Sequence, residues 1–234
     1  LEFTTAKSNI AIGSGSMALA SVTSHDNIAI GNFALEDNTT GGNNIAIGSG
    51  SMKEATNNYG NVAIGWESMR DSVNDGHWNV AIGYRAIYDG DTSGDDNIAI
   101  GREAGASITS GEDNILLGRR SGDAIAGGLR NIMLGKFSGT DINSGNDNIG
   151  IGNSTLFDLT DGLNNIALGN AALGKAAGGT VQRNIAVGYQ ALSFGIVTGD
   201  DNIAMGSNTG LNLTSGERNI AIGSGSMGVG VVTG

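Results

Sequence analysis

The side chains in this sequence best equipped to hold a ligand stand at regular intervals. Trp66, Tyr84, Arg102, Arg119 and Lys136 follow one another at spacings of 18, 18, 17 and 17 residues, and Arg85, Arg120 and Phe137 each lie one residue beyond a member of that series. Seven of the twelve Lys and Arg fall between Arg70 and Lys136, although the formal net charge is −11. An aromatic face stacks on a sugar ring, and a guanidinium grips a carboxylate or phosphate through paired hydrogen bonds. Trp66, Tyr84, Arg85, Arg102, Arg119, Arg120 and Lys136 are therefore candidate ligand-binding residues for an anionic surface glycan. Other uses of the same residues stand beside this one. Trp66 and Tyr84 can stack on each other, the cations can offset Glu67 and Glu103, and the strip can be a contact between chains.

Other chemistries have thinner support. The chain has no cysteine, hence no thiolate nucleophile and no zinc–thiolate site. Its two histidines, His25 and His77, each stand two residues before a recurring Asn and read as exposed loop residues. Carboxylates gather at Asp89, Asp91, Asp95, Asp96, Glu112, Asp113, Asp200 and Asp201. Paired acids can hydrolyse glycosides, and Asp89-Gly90-Asp91 with Asp95 and Asp96 offers the hard oxygens that calcium takes. These acids fall in segments that are polar in any case, without EF-hand spacing or a Gly-Gly-x-Gly-x-Asp repeat. No catalytic residue and no resident cofactor or metal is expected, with calcium at the acidic loops as the alternative.

What spaces these residues is a motif, Asn-Ile-Ala-Ile-Gly, written five times as such and eight more times in looser form. Copies begin at Asn9, Asn27, Asn44, Asn61, Asn79, Asn97, Asn114, Asn131, Asn148, Asn165, Asn184, Asn202 and Asn219, 17 to 19 residues apart. A short fixed period over a whole chain is the mark of a solenoid. With Asn as position zero, positions one and three are large and apolar, position two is usually Ala, and position four is always Gly. Large-small-large alternation is a strand pattern. Positions one and three are expected to face the core, leaving small position two on the outer face. Two variable residues, a small residue at position seven and Met, Leu, Ile or Gly at position eight predict a second short strand. A second Gly, often three residues before the next Asn, is expected to turn a corner with positive φ, as is the Gly at position four.

The fold class predicted is all-β, a parallel β-solenoid of about thirteen 17–19-residue coils forming one repeat domain over residues 1–234. Three features check the stacking. Position two reads Leu116, Met133, Gly150 in consecutive coils, as volume compensation in a packed column would require. The residue before the Asn reads Asp113, Arg130, Asp147 and later Arg183, Asp201, Arg218, an alternation of charge at ladder spacing. The Asn column itself is suited to an amide ladder. A roll this thin buries few apolar side chains against the ordering of some 17 residues per coil, so side-by-side association is expected, most simply of three chains across the small residues at position two. The negative charge disfavours nucleic acid as a partner. No apolar run approaches the length of a membrane span. The absence of an initiator Met marks Leu1-Glu2-Phe3 as a cloning scar, or the chain as a fragment of a longer fibre.

The motif Asn-x-Ala-Ile/Val-Gly-x-x-Ala/Ser is similar to the head repeat of trimeric autotransporter adhesins, the YadA-like head, whose own period is shorter, near 14 residues. Asn184–Leu192, Asn-Ile-Ala-Val-Gly-Tyr-Gln-Ala-Leu, also resembles the NTAVGYQAL repeat of tail-fibre-type adhesins, and Asn79–Ile87 is close to it. The resemblance covers essentially the whole chain. It implies a left-handed β-roll, a homotrimer, and an extracellular setting on a bacterial cell surface or a virion tail fibre. The function it implies is a fibrous adhesin or receptor-binding rod that attaches to a host or cell-surface glycan or receptor. The alternatives are a shaft segment of a phage tail fibre without its own ligand, and a glycan-depolymerising tail spike. The residues favour the first two.

Overall fold

The computed structural model describes residues 7–18, 23–71, 76–89, 93–175, 180–193, 198–211, 213 and 215–228; Leu1-Glu2-Phe3 and Asp91 lie outside them. Each motif copy supplies one three-residue strand. The strands are β1 (Ile10–Ile12), β2 (Ile28–Ile30), β3 (Ile45–Ile47), β4 (Val62–Ile64), β5 (Val80–Ile82), β6 (Ile98–Ile100), β7 (Ile115–Leu117), β8 (Ile132–Leu134), β9 (Ile149–Ile151), β10 (Ile166–Leu168), β11 (Ile185–Val187), β12 (Ile203–Met205) and β13 (Ile220–Ile222). They form a single parallel sheet in sequence order, every motif in register with the next. The chain thus winds as a β-solenoid of about eleven turns, and no helix occurs among the described residues. At about 4.8 Å per strand, the stack is roughly 60 Å long.

The sheet faces the opposite way to the sequence expectation. Position two is the core position: Ala29, Ala46, Ala63, Ala81 and Ala99 are fully buried, as are Leu116 and Met133. Positions one and three point outward, with Ile12 58%, Ile100 39%, Ile151 41% and Ile222 68% exposed. The reason is the width of the interior. The coils already direct position eight (Leu35, Met52, Met69, Ile87) or, where that is Gly, position eleven (Ile108, Ile125, Ile142) into the core from the opposite wall. Two further β-branched side chains per coil would overfill it, so the wall opposite stays small.

Where one wall grows, another shrinks. The coil containing Leu116 has Gly122 at position eight, and a Cβ there would lie 2.6 Å from Leu116 Cδ2. Gly139 makes the same room for Met133, with its notional Cβ 2.6 Å from the sulfur. In the next coil Gly150 carries position two, where a Cβ would meet Met133 Sδ at 2.9 Å, while Leu156 and Leu159 refill the section from the other side. The volume compensation read from Leu116, Met133 and Gly150 is present, and it involves three walls rather than one column.

The second short strand does not form. Positions five to eight are turns, and position eight sits in the left-handed region, with φ of 47–51° at Met17, Leu35, Met52, Met69, Ile87, Leu156, Leu173, Leu192 and Met227. This conformation costs a bulky residue roughly 1–2 kcal/mol, and burial of the same side chain offsets it. The Gly at position four has φ of 109–142° throughout. A Cβ on Gly13 would also run into the carbonyl of Gly31 one coil on, so both conformation and contact demand glycine. The second Gly is different. It is not left-handed; its bare backbone lets adjacent coils approach, as at Gly128 against the Gly145 carbonyl. The positive-φ corner falls instead at the residue before the Asn, φ 55–60° at Asp26, Asn43, Asp113, Asp147, Asn164 and Asp201 among others.

The Asn column binds the coils together. Asn131 donates its backbone N–H and Nδ2 to Asn114 Oδ1 at 3.0 and 3.1 Å, and Nδ2 also donates to the Gly145 carbonyl at 2.7 Å. The backbone-to-Oδ1 bond recurs from Asn9 to Asn219, and every Asn between these ends is buried.

Candidate functional site

The turn after the position-four Gly is the element that displays the candidate strip. Its geometry is set by backbone bonds between coils. The position-six N–H of each coil donates to the position-five carbonyl of the coil before: Arg85 to Trp66 at 3.0 Å, Glu103 to Tyr84 at 2.8 Å, Arg120 to Arg102 at 2.9 Å and Phe137 to Arg119 at 3.0 Å. Position six is left-handed at Arg85, Glu103, Arg120 and Phe137, with φ of 50–56°. Positions five and six therefore form two adjacent columns, and all seven candidate residues stand in them.

The structure joins these residues by ring contacts. Trp66 and Tyr84 meet edge to face, centroids 5.4 Å apart at 73°, and Trp66 remains 56% exposed. Arg102 lies 5.7 Å from the Tyr84 ring centre, and Arg85 lies 5.2 Å from it. Phe137 gathers the other three cations, Lys136 at 4.8 Å, Arg119 at 5.2 Å and Arg120 at 5.9 Å. All lie within cation–π range of a ring. The mutual stacking of Trp66 and Tyr84 and the offsetting of cations by Glu67 and Glu103 are both realised.

The offsetting is uneven, and it divides the strip. Position six reads Glu67, Arg85, Glu103, Arg120, and these pair along the column: Arg85 Nε to Glu67 Oε2 at 2.8 Å, Arg120 Nε to Glu103 Oε2 at 3.7 Å. Arg120 also donates to Asp123 Oδ2 at 2.7 Å. Burial pushes the Asp123 carboxyl above its ordinary pKa, while the bond from Arg120 pulls the other way. Arg102 reaches Glu103 at 3.2 Å and stays 59% exposed. Among the described residues, Arg119 and Lys136 have no ion-pair partner. Position six thus carries cations tied into the scaffold, whereas at position five Arg102 is paired with Glu103 and, among the described residues, Arg119 and Lys136 are not paired.

Sequence reasoning did not single out Tyr88, Arg70 or Asp123. Arg85 sits 4.5 Å over the Tyr88 ring, and Arg70 Nη1 donates to the Tyr88 hydroxyl at 2.9 Å. Arg85, Tyr88, Glu103, Arg120 and Asp123 border an open cleft of about 230 Å³, for which the small Ala106 and Ser107 leave room. The signal was present at position nine, where Arg70, Tyr88, Ala106 and Asp123 follow in phase.

The remaining candidates serve the coil junctions. His77 Nδ1 accepts the Tyr59 backbone N–H at 3.1 Å and is half-buried, rather than an exposed loop residue; His25 and His77 flank Tyr59, with centroid distances of 6.3 and 5.8 Å. Asp95 Oδ1 accepts the His77 N–H at 2.7 Å, and Asp200 Oδ1 accepts the Gln182 N–H at 2.8 Å. Arg130–Asp147 and Arg183–Asp201 are two-point ion pairs. The bonds from Arg130 and Arg183 hold the carboxyls of Asp147 and Asp201 below their ordinary pKa. Among the described residues no group of three or more His, Asp or Glu could hold a metal ion. No helix there is long and apolar enough to cross a membrane.

Comparison with family models, with curated proteins and with solved structures found no match to this chain.

Proposed function

We propose that the chain is a fibre segment that assembles side by side as a homotrimer and attaches to an anionic surface glycan along the strip from Trp66 to Lys136. It acts as an adhesin or receptor-binding rod outside the cell, on a bacterial surface or a virion tail fibre. The observation that carries the ligand reading is the uneven pairing along the strip. Arg85 and Arg120 are neutralised by Glu67, Glu103 and Asp123 and Arg102 is paired with Glu103 while staying 59% exposed, whereas among the described residues Arg119 and Lys136 have no acidic partner, and Trp66 is exposed in the same column. A carboxylated or sulfated sugar chain offers rings for Trp66 and Tyr84 and anions for Arg102, Arg119 and Lys136.

The assembly reading rests on the outward face of the sheet. Positions one and three place 26 Ile, Val, Leu and Met side chains on it, two per strand over thirteen strands. A contiguous apolar face of that extent marks an association surface. The face that associates is thus the Ile face, not the Ala positions. The number three comes from the resemblance to trimeric adhesin heads.

The test of the ligand strip is an array of acidic and neutral glycans probed with the parent and with a Trp66→Ala, Arg102→Ala, Arg119→Ala variant. Parent binding to acidic glycans should fall at least about tenfold in the variant, with melting temperature and sedimenting mass unchanged. Equal binding by the two proteins would remove the strip as the site. A parent that binds no glycan would favour the shaft reading, which the internally paired Arg85 and Arg120 also support.

A further inference from the structure

Arg102, Arg119 and Lys136 carry position five in three consecutive coils. Trp66 and Tyr84 precede them in the column, and Asn153 and Asn170 follow, so the charged run has neutral neighbours at both ends. The carbonyls of Arg102, Arg119 and Lys136 accept the N–H groups of Arg120, Phe137 and Ser154 at 2.9, 3.0 and 2.9 Å. These bonds stack the three residues in register, one per coil, at about 4.8 Å per step. Their charged heads are braced against rings. Arg119 and Lys136 stand 5.2 and 4.8 Å from the Phe137 ring centre, and Arg102 stands 5.7 Å from that of Tyr84. All three stay exposed. Arg102 donates through Nε and Nη2 to Glu103 Oε1, both at 3.2 Å, and its Nη1 makes no hydrogen bond among the described residues.

Beside the cations runs a track without side chains. Gly101, Gly118 and Gly135 precede them at position four, and a Cβ on Gly101 or Gly118 would lie 2.5 Å from the carbonyl oxygen of the next coil's glycine. An extended molecule can therefore lie along the rod against bare backbone, with the three cations on one flank. The rise of the coil then discriminates among such molecules. One coil advances about 4.8 Å, close to one sugar unit of a linear polysaccharide. A single acidic sugar spans one step and meets at most two of the three cations, because Arg102 and Lys136 are about 10 Å apart along the axis. A polysaccharide acidic at every second unit matches Arg102 and Lys136 but sets a neutral sugar against Arg119. Acidic groups on consecutive units meet all three.

We propose that the strip binds a linear acidic polysaccharide lengthwise, one sugar unit per coil, and that it selects chains charged on consecutive units. This rests on the glycan reading of the strip given above and narrows it to a class of polymer. Arg102 and Arg119 hold acidic groups through directed N–H bonds, and Lys136 holds the third as a point charge. Side chains of this length reach an acidic group on either side of the sugar chain. A stretched single-stranded nucleic acid is also charged at every unit, but its phosphates are spaced more widely than the coils.

The test compares a galacturonic acid hexamer with a hyaluronan dodecamer by isothermal titration calorimetry. The two carry equal numbers of carboxylates, on every unit of the first and every second unit of the second, so charge is matched and spacing differs. The parent should bind the galacturonate at least about tenfold more tightly, the worth of one added hydrogen bond to a charged group. Arg119→Gln leaves Arg102 and Lys136 two coils apart, a spacing both oligomers satisfy, and should bring the two affinities within about twofold. Lys136→Gln leaves two cations on adjacent coils, so it should weaken binding and keep the preference. Equal affinities in the parent, with binding lost in the Trp66→Ala, Arg102→Ala, Arg119→Ala variant, retain the strip as a glycan site and overturn the selection by spacing. A preference that survives Arg119→Gln, or that Lys136→Gln removes as fully, overturns it as well. A parent that binds neither oligomer overturns it, and the glycan array then decides the strip itself. Binding by the triple variant equal to the parent's overturns both readings. Tighter binding of a single-stranded DNA oligomer than of galacturonate overturns the polysaccharide as the occupant.

Discussion

Asn114 shows what a single residue contributes. Its N–H and Nδ2 donate to Asn97 Oδ1 at 3.1 and 2.9 Å, Nδ2 donates to the Gly128 carbonyl at 2.8 Å, and its Oδ1 accepts two bonds from Asn131. Asn114 is fully buried. Only an amide of this length both donates and accepts here, which is why the column admits no other residue in this sequence. Asn114→Ala leaves the Gly128 carbonyl and the Asn131 N–H without these partners, and should cost about 2–4 kcal/mol on the usual scale of orphaned buried groups. Asn114→Asp should cost more, because a carboxylate aimed at the Gly128 carbonyl and Asn97 Oδ1 repels both. Asn153→Ala, at the exposed position five, should change the thermal midpoint little. Thermal melts of the three variants give the order directly; an Asn153 change as costly as Asn114→Ala would mean the ladder is not what holds the coils.

At the level of the strand, apolar alternation fixes which residues share a face but not which face is inside. Both faces here are apolar, Ala on one and Ile on the other, so the pattern alone favours the larger side chains for the core. The decision comes from the far wall, where position eight already fills the section. The sequence of that wall does not disclose its turns, because a left-handed φ at Met, Leu and Ile has no compositional signature of the kind glycine gives. The faces decide the outcome of two substitutions. Ala99→Asp should abolish folding of the central coils, since it buries a carboxylate without a partner. Ile100→Asp, on a side chain 39% exposed, should leave the circular-dichroism spectrum intact and reduce the sedimenting mass to that of one chain. A folded Ala99→Asp protein, or an Ile100→Asp protein of unchanged mass, would contradict the assignment of faces or of the associating surface.

For the molecule as a whole, the repeat spacing was enough to give a parallel solenoid with thirteen motifs in register. It was also enough to place Trp66, Tyr84, Arg102, Arg119 and Lys136 in one column, because a strand per period leaves the position-five residues nowhere else to stand. The pairing within the site was not legible. Which cations are neutralised depends on side-chain reach across neighbouring columns, from Arg120 to Asp123 or Arg70 to Tyr88. Periodicity along one column carries no information about that.

The hydrogen bonds between coils all run along the axis of the rod. Tension applied through the two chain ends therefore does not shear the sheet. It peels the terminal coil, and only one junction carries load at a time. Stretched singly in an optical trap, the chain should yield a train of small, similar rips, each releasing roughly 55 Å of slack for a 17-residue coil. The train should stall at the coils of Leu116 and Met133, whose large position-two side chains are fully buried. A single abrupt rupture of the whole rod would contradict this. A rod so built gives way gradually under load, one coil at a time, and can rewind onto the intact stack when the pull relaxes.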